Sequence, residues 1–268
     1  MTGWKIFTRA LSLLVGNIDA ALRVSLVPVA CLIAVDLLLA RLAPGALAPV
    51  AVGEAMEAPD PGVVVARILA LVAGLGFGSW AAVGWHRYVL AAESPSGWVP
   101  PIDGRTIAAY VGLSLLVGFV VVLGVLAVTT MVSVLVLPII GAAGQVFVLA
   151  AGAIAAAILI FRLSLVLPAR AIGAPMGLND SLRATRGQSG TAVVLTLVMA
   201  VFLVALQLPP ILDAAVGGGG EAAAADAASG PGVVGVVYAA VMQWVGIMLG
   251  AGILTALYGH LVEGRPLD

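Results

Sequence analysis

The sequence predicts an all-α fold: a polytopic transmembrane helix bundle of six spans, preceded by an interfacial amphipathic helix. Three observations carry this expectation. Of the 268 residues 62% are hydrophobic and 9% charged, and the mean hydropathy is +1.19. Soluble domains carry about 25% charged residues, so this chain must meet lipid over most of its surface. Several apolar runs reach the ~20 residues needed to cross roughly 30 Å of hydrocarbon. Finally, the charged residues gather between those runs, with the basic ones in alternate gaps.

Composition also excludes some functions. A net charge of −1 gives no field favouring nucleic acid. Cys31 is the only cysteine, so neither an intramolecular disulfide nor a cysteine metal cluster is expected. Heavy use of alanine, valine and glycine, with Lys5 the only lysine among the basic residues, suggests a GC-rich bacterial genome. Lys5 and Arg9 resemble the charged start of a signal peptide. Asn17, Asp19 and Arg23 interrupt the stretch that follows, however, and no cleavage site is expected.

Residues 2–17 are too short to span. Trp4, Phe7, Leu11, Leu14 and Val15 recur at helical spacing while Lys5, Thr8, Arg9 and Ser12 fall on other faces, which suits a helix lying in the membrane interface. Span one covers about 21–41. A gap at 42–62 holds Glu54, Glu57 and Asp60 and no basic residue. Span two, about 63–84, runs into Trp85-His86-Arg87-Tyr88, an aromatic and basic end of the kind found at a headgroup layer. Prolines and Asp103 mark a loop at 92–106.

From Ile107 to Leu167 the chain is apolar with one charge, Arg162. Pro138, Gly141 and Gly144 supply the turn chemistry that divides it into spans of about 107–137 and 145–168. In the polar segment 171–190, Asn179 or Asp180 is placed to cap a short helix that runs through Arg186 and stops at Gly187. Span five covers about 191–212, a low-complexity gap fills 213–230, and span six covers about 232–258. The whole chain, 1–268, reads as one integral membrane domain.

Basic residues stay on the cytoplasmic side. Lys5, Arg9, Arg23, Arg87, Arg105, Arg170, Arg183, Arg186 and Arg265 fall before span one, in alternate gaps and after span six, so both termini are expected in the cytoplasm. Arg41 and Arg67 lie near the opposite ends of spans one and two. Each even span ends in an aromatic or basic cluster (Trp85-His86-Arg87, Phe161-Arg162, Tyr258-Gly259-His260), which suggests three similar helical hairpins.

Phe7-Thr8-Arg9-Ala10-Leu11 through Asn17 and Leu22, leading into an apolar span, resembles the repeated unit of the YciC-like families. The membrane domain of glycerophosphodiester phosphodiesterases is similar, and Ser181 to Gly187 looks like a second copy. The resemblance implies a multi-pass membrane protein and brings no activity, because the soluble phosphodiesterase domain is absent from this sequence.

Few residues point to chemistry. Asp36 and Arg67 lie at matching depths in antiparallel neighbours, and a charge inside a bilayer is a functional hypothesis by default. They read as an ion pair locking the first hairpin or, alternatively, as a substrate or proton site. Arg67 could also snorkel to headgroups. Arg162 is expected to reach headgroups or to pair with Glu263 or Glu93. Arg87, Arg162, Arg170, Arg183 and Arg186 could be contacts for anionic lipid, but ordinary basic-side topology explains the same residues with no site at all.

His86 and His260 end even-numbered spans but lack ligand spacing for zinc. Gly74 with Gly78, and Gly246 with Gly250, give the spacing that permits close helix contact. No motif implies a cofactor, and only Pro28 breaks a span interior. The sequence therefore reads as a non-enzymatic protein of the bacterial inner membrane. It would be an accessory or scaffold subunit meeting other integral membrane proteins, or a lipid-interacting factor; the alternative is a small-molecule or lipid transporter.

Overall fold

In the computed structural model, which describes residues 2–43, 60–216 and 233–267, the described residues are helices and loops without strands. The helices are α1 (Thr2–Gly16), α2 (Ile18–Leu42), α3 (Pro61–Leu90), α4 (Gly104–Ile140), α5 (Gln145–Leu163), α6 (Val166–Ala171), α7 (Leu178–Ala184), α8 (Ser189–Val216) and α9 (Val233–Leu261). A 3-10 turn, Gly141–Gly144, joins α4 to α5. Five stretches are long and apolar enough to cross a membrane: Ile18–Leu42, Pro61–Leu90, Gly104–Ala171, Ser189–Leu206 and Gly235–Leu261. The chain is a multi-pass membrane protein. The acidic gap with Glu54 and Glu57, and most of the low-complexity gap, lie outside the described residues.

Helix starts follow from local chemistry. Asp60 caps α3 by accepting from the Gly62 and Val63 amides at 2.6 and 3.4 Å, with Pro61 in the first turn where its missing N–H is not needed. Asp103 caps α4 by accepting from the Thr106 amide at 3.1 Å and its hydroxyl at 2.7 Å. Asp180 accepts from the Gly177 amide at 3.0 Å, so it caps α7 from inside the first turn, and Gly187, at φ +78°, stands just past the helix.

The expected turn lies at Gly141–Gly144. Gly141 adopts φ +61°, a conformation that L side chains rarely take, and its amide bonds back to the Leu137 carbonyl. Beyond it α5 returns along α4. Gly152 packs against Thr129 and Val125, and Gly124 packs against Leu159, a register possible only for antiparallel neighbours.

The face of α1 expected to meet lipid is divided: Trp4 and Val15 are exposed, while Phe7 and Leu14 pack on protein. Ile6, Phe7, Ala10 and Leu14 are buried. A Cβ on Gly3 would lie 2.8 Å from the Thr191 carbonyl oxygen and 2.9 Å from the Leu195 amide nitrogen of α8, while Ala10 rests on Gly252 of α9. Phe7 meets Phe202 edge-on at 5.4 Å. Lipid and a protein groove both demand an amphipathic stripe; the small residues within this one were the sign of close helix contact.

The core sits at one end. On α3 burial is continuous around Ser79–His86, while nearer its start only Ala66 is buried; on α9 the buried residues begin at Met248. Both large core clusters draw on the same end of α3 and α9 and on α1 and α6. At the opposite end of α2 and α3 the buried contact is Leu39 with Ala66, supported by Val35 and Ala70. The glycine pairs expected to make close contacts, Gly74–Gly78 and Gly246–Gly250, have nothing within 4 Å of a Cβ, whereas Gly84 closes on Val24.

Candidate functional site

Three places gather polar or concave features. The first is a buried node at the basic end. His86, completely buried on α3, places Nδ1 2.8 Å from Thr255 Oγ1 of α9 and Nε2 3.1 Å from the Tyr110 hydroxyl of α4. Thr255 donates its own proton to the Ala251 carbonyl at 2.8 Å. Its oxygen is therefore the acceptor for His86 Nδ1–H, and Nε2 accepts from Tyr110. A neutral ring satisfies every bond. Nearby, Trp244 Nε1 donates to Ser25 Oγ at 2.7 Å, and the Tyr88 hydroxyl donates to Asn17 Oδ1 at 2.8 Å.

The second place is the level of Asp36. Val35 and Leu39 do pack against Ala66 and Ala70, which sets Asp36 and Arg67 at similar depth, both half-buried. Asp36 also reaches a third helix: Gln243 Nε2 on α9 donates to its Oδ2 at 2.9 Å. At this level α2 and α9 part to leave a lateral groove of about 420 Å3. Leu22, Leu26 and Ile33 form one wall, Val237, Ala240 and Val241 the other, and Trp244 also faces in. The lining is almost purely apolar. The groove begins at Ile18, where Asp19 and Arg23 form an ion pair at 2.8 Å and the guanidinium lies 5.4 Å from the centre of the Trp98 ring.

The third place is the set of arginines expected to meet anionic lipid. Arg87 is held by Glu93, at 2.8 and 3.2 Å, and by Asp103 at 3.6 Å, so it ties the end of α3 to the start of α4. The Asp103 carboxyl titrates below its ordinary range, chiefly because it accepts the Thr106 hydroxyl and amide, and also because Arg87 is near. Arg162 turns to α7 rather than to Glu263 or Glu93. Its guanidinium donates to the Leu182 carbonyl at 3.3 Å, and Ser181 donates back to the Arg162 carbonyl at 2.6 Å. Arg183 is exposed and 3.8 Å from Asp180; Arg186 is exposed. Arg170 borders a cleft of about 380 Å3 with Leu113, Pro175 and Met176.

His86 and His260 have separate partners, His260 Nδ1 lying 3.1 Å from the Arg265 carbonyl. Among the described residues no group of three His, Cys, Asp or Glu is placed to hold a metal. The node partners Tyr110 and Thr255 were not singled out by sequence reasoning. A lone threonine and tyrosine in apolar spans carry no spacing that would reveal them.

Compared with known proteins, the chain matches no family model, no curated protein and no solved structure.

Proposed function

We propose that this is a non-enzymatic integral protein of a bacterial inner membrane, an accessory or scaffold subunit or a lipid-interacting factor. In this reading it crosses the membrane six times, α4 and α5 being separate crossings, with both termini cytoplasmic. The antiparallel register of α4 and α5 supports the count.

The observation that carries the functional reading is the lateral groove between α2 and α9. It opens on the flank of the bundle and is apolar, so it favours lipid or another membrane protein over a water-soluble substrate. The polar side chains Ser25, Asp36, His86 and Arg162 hydrogen-bond to neighbouring helices, which suits a structural role.

Two experiments test the reading. Extraction in lipid-retaining polymer discs, followed by mass spectrometry, should recover bound lipid or specific membrane proteins. Solute uptake by proteoliposomes, with neither lipid nor protein retained, would overturn it in favour of a transporter. For the topology, single cysteines at Ala142 and Gly104, in a Cys31→Ala background, are offered an impermeant thiol reagent on intact cells. Ala142 in the 3-10 turn should label and Gly104 should not; labelling at Gly104 alone reverses the orientation.

A further inference from the structure

We propose that residues 262–267, the segment that follows α9, form a strap that controls water access to the buried His86–Thr255–Tyr110 node. The inference concerns the basic end of the bundle and does not rest on the lipid-interacting reading.

A reversal and a clamp build the strap. Gly264 adopts φ +69°, which turns the chain back so that the Arg265 amide donates to the Gly259 carbonyl at 2.8 Å. His260 Nδ1 donates to the Arg265 carbonyl at 3.1 Å. The Arg265 stem lies close on α9: a Cβ at Gly259 would sit 3.3 Å from Arg265 Cδ. Its guanidinium reaches the end of α3. Nη1 donates to the Val89 carbonyl at 3.1 Å and Nη2 to the Leu90 carbonyl at 3.2 Å, while Nε pairs with Glu263 at 2.6 Å. The last carbonyls of a helix have no partner within it, so this fork supplies α3 with donors that it lacks. Beyond the clamp, Leu267 packs against the core cluster that includes Ile6 and Leu257.

Beneath the strap lies a cavity of about 40 Å3. Arg9 and Leu13 of α1, Thr255 and Gly259 of α9, and Arg265 and Pro266 of the strap border it. Arg265 and Pro266 are also exposed to solvent, so the cover over the cavity is thin. Thr255 stands one helical turn deeper than Gly259, and its oxygen accepts from His86 Nδ1. One side chain therefore separates the cavity from the imidazole. The volume admits a single water, ~30 Å3 in the liquid.

While the strap is closed, bulk water is held off and the His86 ring keeps Thr255 and Tyr110 as its partners. Once it opens, water competes for Thr255, and the junction of α3, α4 and α9 loosens from its solvent end. Opening breaks few bonds. Arg265 and Glu263 have side chains 46% and 27% exposed, and such a surface pair contributes little and weakens in salt. Segments held by exposed hydrogen bonds open locally without unfolding the whole protein.

The chain has two histidines, which makes a chemical readout specific. The full chain in nanodiscs is treated with diethyl pyrocarbonate, and carbethoxylation of His86 and His260 is followed by mass spectrometry. In the wild type His86 should react about tenfold more slowly than His260. Arg265→Ala releases the clamp and should raise the His86 rate about fivefold at an unchanged elution volume. Glu263→Gln removes only the ion pair and should raise it about twofold, which keeps the test decisive if Arg265→Ala fails to fold. Gln243→Ala loosens the bundle at the level of Asp36, away from the strap, and should leave the His86 rate at its wild-type value. A His86 rate unchanged in both strap variants, or raised as much by Gln243→Ala, overturns the proposal.

Discussion

Thr255 fixes the tautomer of His86, although 169 positions separate them in sequence. The threonine proton is committed to the Ala251 carbonyl, so its oxygen has only lone pairs to offer and the imidazole must carry its proton on Nδ1. Tyr110 completes the arrangement from α4. One neutral ring thereby joins α3, α4 and α9, and its bonds have direction where the surrounding leucines and valines have none.

This relationship predicts an asymmetry between two substitutions. Thr255→Val keeps the shape and removes the acceptor, leaving a buried N–H unsatisfied, a loss of about 1–3 kcal/mol. Thr255→Ser keeps the hydroxyl and should lose much less. Thermal unfolding in detergent distinguishes them; equal midpoints for the two variants would refute the node.

Gln243 and Asp36 should be energetically coupled. Hydrogen bonds between membrane helices average about 0.6 kcal/mol and reach about 1.7 in double-mutant cycles. Asp36→Ala, Gln243→Ala and the double variant should therefore be non-additive by an amount in that range. Strict additivity would show that the bond contributes nothing. A cycle of Asp36 with Arg67 asks in parallel whether the lock expected from depth alone also operates.

Packing of α1 is tested with two glycines. At Gly3 an added methyl group would run into backbone of α8, which cannot move aside as a side chain tip can. Gly3→Ala should lower stability by about 1–3 kcal/mol, the range for overpacked sites. At Gly16 nothing lies within 4 Å of the added Cβ, so Gly16→Ala serves as the control. A Gly3→Ala protein as stable as the control would mean that α1 does not rest on α8.

Acid should loosen the loop between α3 and α4. The folded-state pKa of Asp103 is depressed by its bonds to Thr106 and by Arg87. A depressed carboxylate stabilises the fold at pH above its unfolded value, and that contribution disappears as pH falls through the lower, folded value. Protection of the first α4 amides against hydrogen exchange should therefore hold at neutral pH and fall at pH below the ordinary carboxylate range. Asp103→Ala should lack protection at either pH. A wild type equally protected in acid contradicts the cap.

How much of this was legible in the sequence depends on direction. Hydropathy is a one-dimensional signal that reports position along the membrane normal. It located the long apolar stretches and the similar depth of Asp36 and Arg67, while Pro138, Gly141 and Gly144 marked the turn. It did not report which way a residue points around its helix. Val35 and Leu39 face α3, whereas Asp36, one position round, bonds to α9. In spans this uniform the lipid face and the protein face carry the same residue types, so nothing marks the partner. The same ambiguity placed the apolar face of α1 in lipid and made Gly74–Gly78 look like a helix contact.

Placement of α1 against α8 and α9 has a consequence for biosynthesis. The ribosome releases α1 long before the helices that bury Ile6, Phe7 and Ala10. Until α8 and α9 have been inserted, that apolar stripe has only the bilayer surface to cover it, and its final seat requires contacts between distant parts of the chain, which form slowly. The amphipathic pattern suits α1 to both surroundings, the lipid surface before α8 and α9 are in place and protein after.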